Sequence, residues 1–337
     1  MSTSVPSAAG LRGLIALAAA AALVWLAQST LSAYVLTLLA ILLLNAGLAV
    51  SLTLTNGLTG LFSLGHPAFM TIGAYAAAIL TFPAGRKGTM LPALPDWLAA
   101  IQLPLLPAAA AAAAVGGVVA ALVGWPVLRL RGHYLAVATL GLIVIVQSFA
   151  MNWDGITRGG SGLSGIPRLT GVWWAFAAFV VVVVLTWRIK FSSLGRAMMA
   201  VRENDLAAEC AGIDAARTRM IAFIVGACAA AVIGALMAHL ISVVTPRSYS
   251  VALAFNLVVM VVIGGSGSIA GAVIAATGIT LLSESLRPVE EAAGLYGLSQ
   301  VIVALALILV LFFRPRGLYG GGEPAVLRRL FATEPPR

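Results

Sequence analysis

Charge is what this sequence has least of. Its 337 residues carry 20 Lys and Arg and 11 Asp and Glu, 9% of the chain, where soluble domains carry roughly a quarter. No water-soluble surface can be assembled from so few, and a 61% hydrophobic content with a mean hydropathy of +1.05 excludes a soluble globular protein. Cysteine is almost absent: Cys210 and Cys228 form no C-x-x-C pair, and the histidines at 66, 133 and 239 are scattered. Disulfide frameworks and tetrahedral metal sites are thereby excluded. Catalytic signatures are missing too. There is no G-x(4)-G-K-[ST] phosphate loop, so the chain does not hydrolyse ATP itself, and no G-x-S-x-G. Gly265-Ser266-Gly267 has no His or acid placed beside it, and each His reads as a capping or interfacial residue. The net charge of +9 comes without a basic run interleaved with aromatics, which argues against a nucleic-acid partner.

What is present is a series of long uncharged runs, each able to cross a hydrocarbon core about 30 Å thick. Gly13 to Gly85 has room for three spans, with breaks near Gln28 to Ser32 and Asn56 to Gly60. Trp97 to Leu128, Gly132 to Trp153, Leu169 to Trp187, Met220 to Pro246 and Ala292 to Phe313 allow one each. Ser248 to Ser283 is too long for one crossing and short for two, so it should turn back at Gly264-Gly265-Ser266-Gly267-Ser268. The expected fold is all-α: a multi-pass membrane protein with about ten transmembrane or re-entrant helical segments.

Loop charge sets the expected orientation. With the N-terminus inside, fourteen of the 20 Lys and Arg fall on the cytoplasmic side: Arg12, Arg129, Arg131, the six from Arg188 to Arg219 and the five from Arg314 to Arg337. Arg86, Lys87, Arg158, Arg168, Arg247 and Arg287 fall outside, and the opposite orientation would invert the bias. The organisation is then a cytoplasmic N-terminus (1–12), a transmembrane domain (13–313) containing a cytoplasmic loop (188–219), and a cytoplasmic tail (314–337) that reads as frayed from Gly320 to Arg337. A cleaved signal peptide is the alternative for the first run, but its removal would spoil the even parity that brings the basic tail inside.

The loop from Arg188 to Arg219 is the most charged segment between spans. Its stretch from Gly195 to Gly212 fits a short amphipathic helix capped by Gly212. A solvated linker is the plain reading; a docking helix for a soluble partner is the sharper one. No Asp, Glu, Lys or Arg lies in a span interior, so energy should enter from outside this chain rather than from a coupling ion. Two glycine-rich segments interrupt the bulky apolar side chains. Gly60, Ser63, Gly65, His66 and Pro67 form the first, and Gly264, Gly265, Ser266 and Gly267 the second. They offer either close helix packing or unwound backbone lining a polar path.

Several motifs carry a resemblance. Gly60-Leu-Phe-Ser-Leu-Gly-His-Pro-Ala-Phe69 with Gly73-Ala-Tyr75, Leu128-Arg-Leu-Arg-Gly-His-Tyr134, and Gly159-Gly-Ser-Gly-Leu163 with Gly165-Ile-Pro167 resemble the branched-chain amino acid ABC permeases of the LivM type. So do Ser193-Leu-Gly-Arg-Ala197, Arg202-Glu-Asn-Asp205, Ala207-Ala-Glu-Cys-Ala-Gly212 and Val261-Val-Ile-Gly-Gly-Ser-Gly-Ser268, in one order over roughly residues 35 to 317. The resemblance implies a bacterial inner-membrane importer with a second homologous permease, two cytoplasmic ATPases that bind the ATP and Mg, and a periplasmic amino-acid-binding protein. It places ATPase coupling on Arg196, Arg202, Glu203, Asp205, Ala207, Ala208 and Gly212, although Leu206 stands where the family's E-A-A-x(3)-G pattern has its first Glu. A path without fixed charge suits an aliphatic zwitterion. A urea or short-chain amide permease is the nearest alternative, and a self-contained secondary carrier or channel the more distant one.

Overall fold

The computed structural model describes residues 8–130, 132–294, 297–320 and 322–324. The first seven residues, Arg131 and the tail from residue 325 lie outside the described residues, so that part of the expected termini has no structural account.

The first expected run of spans divides where polar and glycine residues cluster. Helix α1 (Ala8–Thr30) ends before Ser32, whose hydroxyl accepts the Val35 N–H and starts α2 (Ala33–Leu52). A π-helical turn, Thr53–Leu58, extends α2 to an apolar run of 26 residues. An extended strip then leads to α3 (His66–Thr81), with Pro67 in its first turn where no N–H is needed. Short helices α4 (Ala84–Met90) and α5 (Asp96–Ala100) connect to α6 (Leu105–Val127) and α7 (His133–Asn152). After α8 (Asp154–Thr157) and the 3₁₀ turn Gly159–Ser161, β1 (Leu163–Ser164) pairs antiparallel with β2 (Val243–Val244), matching Leu163 with Val244. Between those strands lie α9 (Val172–Lys190), α10 (Ser193–Glu203), α11 (Asp205–Cys210) and α12 (Ala215–Ile241). The chain closes with α13 (Val251–Gly264), α14 (Ile269–Ala293) and α15 (Leu298–Phe313), and α13 and α14 meet at the glycine turn as expected.

Among the described residues, six helices are long and apolar enough to cross a bilayer: α2 with its π turn, α6, α7, α9, α12 and α14. Helix α12 is the axis of the bundle, and small residues make it so. A Cβ on Gly73 would lie 2.1 Å from the Ala231 carbonyl oxygen, one on Gly234 2.2 Å from that of Met70, and one on Gly116 2.6 Å from Ala231 Cβ. Backbones therefore touch across α3, α6 and α12, where lipid supplies no hydrophobic drive and packing must supply the attraction. Phe69 meets Phe223 edge to face at 5.5 Å beside this contact. Leu122, Val137, Ile145 and Phe149 point outward, as a lipid-facing surface requires, and exposed Trp97, Trp125 and Trp153 sit near helix ends.

Helices α9 and α12 fix which segments share an end. The last residue of α9 and the first of α12 flank residues 191–214, while the first of α9 and the last of α12 lead to the β1–β2 pair. The charged loop and the β pair thus occupy opposite ends of the bundle.

Candidate functional site

The charged loop is not one helix from Gly195 to Gly212. It is two, α10 and α11, broken at Asn204, whose backbone is extended (φ −160°, ψ 113°) and whose side chain accepts the Ala207 N–H. An Asn before Asp205 is a start signal for a new helix, and it outcompetes continuation of the old one. Gly195, Met198 and Val201 face inward on α10, whereas Arg196, Arg202 and Glu203 face out. On α11 Ala208 is buried and Leu206, Ala207 and Glu209 are exposed, with Leu206 at 71% the most open large apolar side chain of the loop. Gly212 follows α11 at φ 81°, a left-handed position that favours glycine, and its N–H donates to Glu209. Asp205 is tied to Arg219 of α12 at 2.6 Å through both carboxylate oxygens.

The first glycine segment is closed by side chains on either side of it. Asn56 donates to the Ser63 carbonyl at 3.0 Å and accepts the Ser63 N–H at 3.1 Å, so a single amide holds the extended strip in a loop. Leu64 donates to Thr139 of α7 at 3.0 Å, and the Ser63 hydroxyl accepts the Gly65 N–H at 3.3 Å. Ser63, Gly65, His66 and Pro67 are buried, and Gly60 is exposed at φ 70°. His66 packs against Gly226 of α12, and its Nε2 has no hydrogen-bond partner among the described residues.

In the second segment Gly264, Gly265 and Gly267 are buried and Ser266 is exposed. The two segments touch: a Cβ on Gly57 would lie 2.7 Å from the Gly267 amide nitrogen. Arg202 joins them to the loop, donating through Nη1 to the carbonyls of Gly57 at 2.6 Å and Ser266 at 3.3 Å, with its stem over Gly60. Residues read separately as path and as coupling therefore form one assembly at one end of the bundle. Of the other residues assigned to coupling, Arg196, Glu203, Ala207 and Gly212 stay on the outer face of the loop, whereas Asp205 pairs with Arg219 and Ala208 is buried.

Lys190 and Glu323 were not legible as site residues, and both belong to this assembly. Lys190 donates to the Gly267 carbonyl at 2.6 Å and pairs with Glu323 at 2.6 Å. Of the tail read as frayed from Gly320, residues 322–324 pack against the bundle, and Glu323 is buried because Lys190 and the first amides of α14 compensate its charge. Among the described residues no group of three or more His, Cys, Asp or Glu could hold a metal.

Comparison with known proteins gives the family. The family described as "Branched-chain amino acid transport system / permease component" matches residues 31–312. The chain belongs to that family. It is 32% identical over 305 residues to the high-affinity branched-chain amino acid transport system permease protein LivM of Escherichia coli K12, covering 80% of this chain and 66% of the relative. It is 25% identical over 293 residues to the corresponding LivH protein of the same organism, covering 82% of this chain and 91% of that one. BraD of Pseudomonas aeruginosa is 27% identical over 302 residues, covering 82% and 91%. The chain thus spans just under two thirds of the length of LivM. No solved structure matches it. As a member of this permease family with six helices able to span a bilayer, it is a multi-pass protein of the bacterial inner membrane.

Proposed function

We propose that this permease is one membrane subunit of an ABC importer that moves hydrophobic branched-chain amino acids by alternating access. A second homologous permease completes the path, two cytoplasmic ATPases bind ATP and Mg and supply the work, and a periplasmic binding protein delivers the solute. The family match and the LivM, LivH and BraD likenesses support the substrate class. Shorter apolar helices, Leu17–Thr30, Val251–Gly264 and Leu298–Phe313, together with α3, would bring the six long helices to ten membrane segments. The charged loop would then be cytoplasmic, with both termini on its side.

One observation carries the mechanism: Arg202 reaches from the loop to carbonyls in both glycine segments. Guanidinium stays charged at any working pH and offers several donors in a fixed fork. Displacement of the loop by an ATPase would pull Gly57 and Ser266 together, opening or sealing the cytoplasmic end of the path between the strip containing Gly60, Ser63, Gly65, His66 and Pro67 and the turn containing Gly264, Gly265 and Gly267. Exposed Leu206, Ala207 and Glu209 would meet the ATPase surface. The test is ATP-dependent uptake of labelled leucine by the reconstituted complex, with urea and short-chain amides as competitors. Uptake of urea in place of leucine would transfer the chain to the amide branch, and leucine uptake without ATPases would make it a secondary carrier.

A further inference from the structure

The segment after α15 runs back along the glycine turn. Leu318 donates to the Ile263 carbonyl at 2.8 Å and Tyr319 to that of Gly264 at 3.1 Å, satisfying acceptors that the end of α13 leaves open. Backbone meets backbone there: a Cβ on Gly265, which has φ 105°, would lie 2.9 Å from the Gly320 nitrogen, and one on Gly317 2.6 Å from Gly265. Glu323 then places its carboxylate on the first turn of α14. Oε1 accepts the Ile269 N–H at 2.6 Å, and Oε2 accepts the Ala270 N–H at 3.1 Å and the Ser268 hydroxyl at 3.3 Å. Oε1 also pairs with Lys190 Nζ at 2.6 Å, while Lys190 holds the Gly267 carbonyl. The two side chains are 1% and 10% exposed.

Replacing a buried ion pair by apolar side chains is often neutral or stabilising, so stability alone does not explain Lys190 and Glu323. What the pair does supply is a fixed register among three elements. Lys190 is the last residue of α9, and the charged loop begins at the next residue. A rigid joint at Lys190 passes motion of the loop base directly to the turn.

We propose that Glu323 is a positioning residue of the transport cycle: with Lys190 it straps the Gly264–Ser268 turn to the end of α9, so that the turn follows the loop. This deepens the importer reading above and rests on it. The experiment uses the complete complex in proteoliposomes and reads leucine taken up per ATP hydrolysed for Glu323→Gln and for the double variant Lys190→Met/Glu323→Gln. Both should assemble and hydrolyse ATP, with uptake per ATP about tenfold lower than in the parent, a typical size for coupling between sites. Wild-type uptake per ATP in either assembled variant overturns the proposal. Should Glu323→Gln not assemble because Lys190 is left buried and unpaired, the double variant decides; failure of both to assemble makes the pair a folding element and also overturns it. Amide exchange at Ile269 and Ala270 should quicken in assembled Glu323→Gln, and unchanged exchange counts against the strap. A parent complex that takes up no leucine would remove the importer reading while leaving the exchange result to judge the strap.

Discussion

Arg202 Nη1 lies 2.6 Å from the carbonyl oxygen of Gly57, across 145 positions of sequence. Gly57 sits in the π-helical turn at the end of α2, where the widened helix leaves carbonyls without their usual partners. An arginine from the charged loop supplies the donor, so the loop is fastened to the bundle by a polar bond at its own end. Close approach at this joint leaves no room for a side chain at Gly57 or Gly267. A Cβ at Gly57 would collide with the Gly267 amide nitrogen, and one at Gly267 would crowd Arg202 at 3.1 Å.

Arg202→Met should therefore separate ATP hydrolysis from transport. A hydrogen bond from a charged donor contributes about 1.5–3 kcal/mol, and the exposure of Arg202 puts this one at the lower end, so roughly a tenfold loss of uptake is expected with assembly intact. Arg202→Lys keeps the charge and should retain part of the activity. Matched uptake and ATPase assays on equal amounts of assembled complex check this, and undiminished uptake by Arg202→Met would remove Arg202 from the coupling route.

Much of this architecture was legible because membrane spans are written locally. The uncharged runs gave the order of the long helices, and the cluster Gly264 to Ser268 located the α13–α14 turn. Contacts across the chain were not local and could not be read. Glu323 stands in a Gly- and Pro-rich stretch that reads as solvated tail, and Lys190, 133 positions away, together with the amides of Ile269 and Ala270, makes its burial tolerable. Arg202 belonged to the coupling set by resemblance, but its reach to Gly57, 145 positions away, was not legible. The break at Asn204 is local, since Asn followed by Asp opens a helix as readily as it continues one, and the Gly212 cap is equally compatible with one helix or two.

Helix packing around α12 makes a second prediction. Gly73→Val and Gly234→Val each force apart backbones that touch, at Ala231 and Met70 respectively, and overpacking costs about 1–3 kcal/mol or more. Gly141 of α7 has nothing within 4 Å of its added Cβ, so Gly141→Ala should stabilise by about 0.5–1 kcal/mol through helix propensity. Thermal unfolding in detergent should show the first two falling and the third rising. Equal effects at all three positions would refute backbone contact as the cause.

Gly65 makes a finer test of the first glycine segment. Its backbone is ordinary right-handed helical, φ −76°, and an added Cβ would meet Thr139, Phe69 and Ser63 at 3.5–3.7 Å. A methyl fits; a larger side chain does not. Gly65→Ala should keep stability within about 0.5 kcal/mol of the parent and transport normally, whereas Gly65→Leu should block uptake while ATPase activity persists. If Gly65→Leu complexes assemble and transport as the parent does, the strip does not border the path.

Lys87 makes the pH-dependent prediction. It is buried in α4, outside the long helices, and donates to the carbonyls of Leu98 and Ile101. Those bonds favour the ammonium, but burial outweighs them and holds Lys87 below its ordinary value of 10.5. The unfolded chain therefore keeps this proton to higher pH than the folded one. Between the lowered value and 10.5, stability from this residue rises as pH rises. Lys87→Met should abolish that rise and cost about 1 kcal/mol at neutral pH, where two carbonyls lose their donor. Unfolding followed from neutral to alkaline pH in lipid nanodiscs checks the slope, and an unchanged slope in the variant would assign it to another group.

The coupling mechanism depends on the orientation of the bundle. Ser161 and Ala207 are both exposed, and they lie at opposite ends of the bundle: Ser161 just before β1, Ala207 on α11 between α9 and α12. If the charged loop is cytoplasmic, as the distribution of Lys and Arg argues, a thiol at 161 faces the periplasm and one at 207 the ATPases. Single cysteines at these positions need a background without Cys210, which is exposed, and Cys228. An impermeant thiol reagent added to intact spheroplasts should then label Ser161→Cys and spare Ala207→Cys until the membrane is opened. Labelling of Ala207→Cys alone would invert the bundle and place the charged loop beyond reach of any ATPase. Labelling of neither would show that 161 is covered in the assembled complex, which the same assay on the isolated permease would expose.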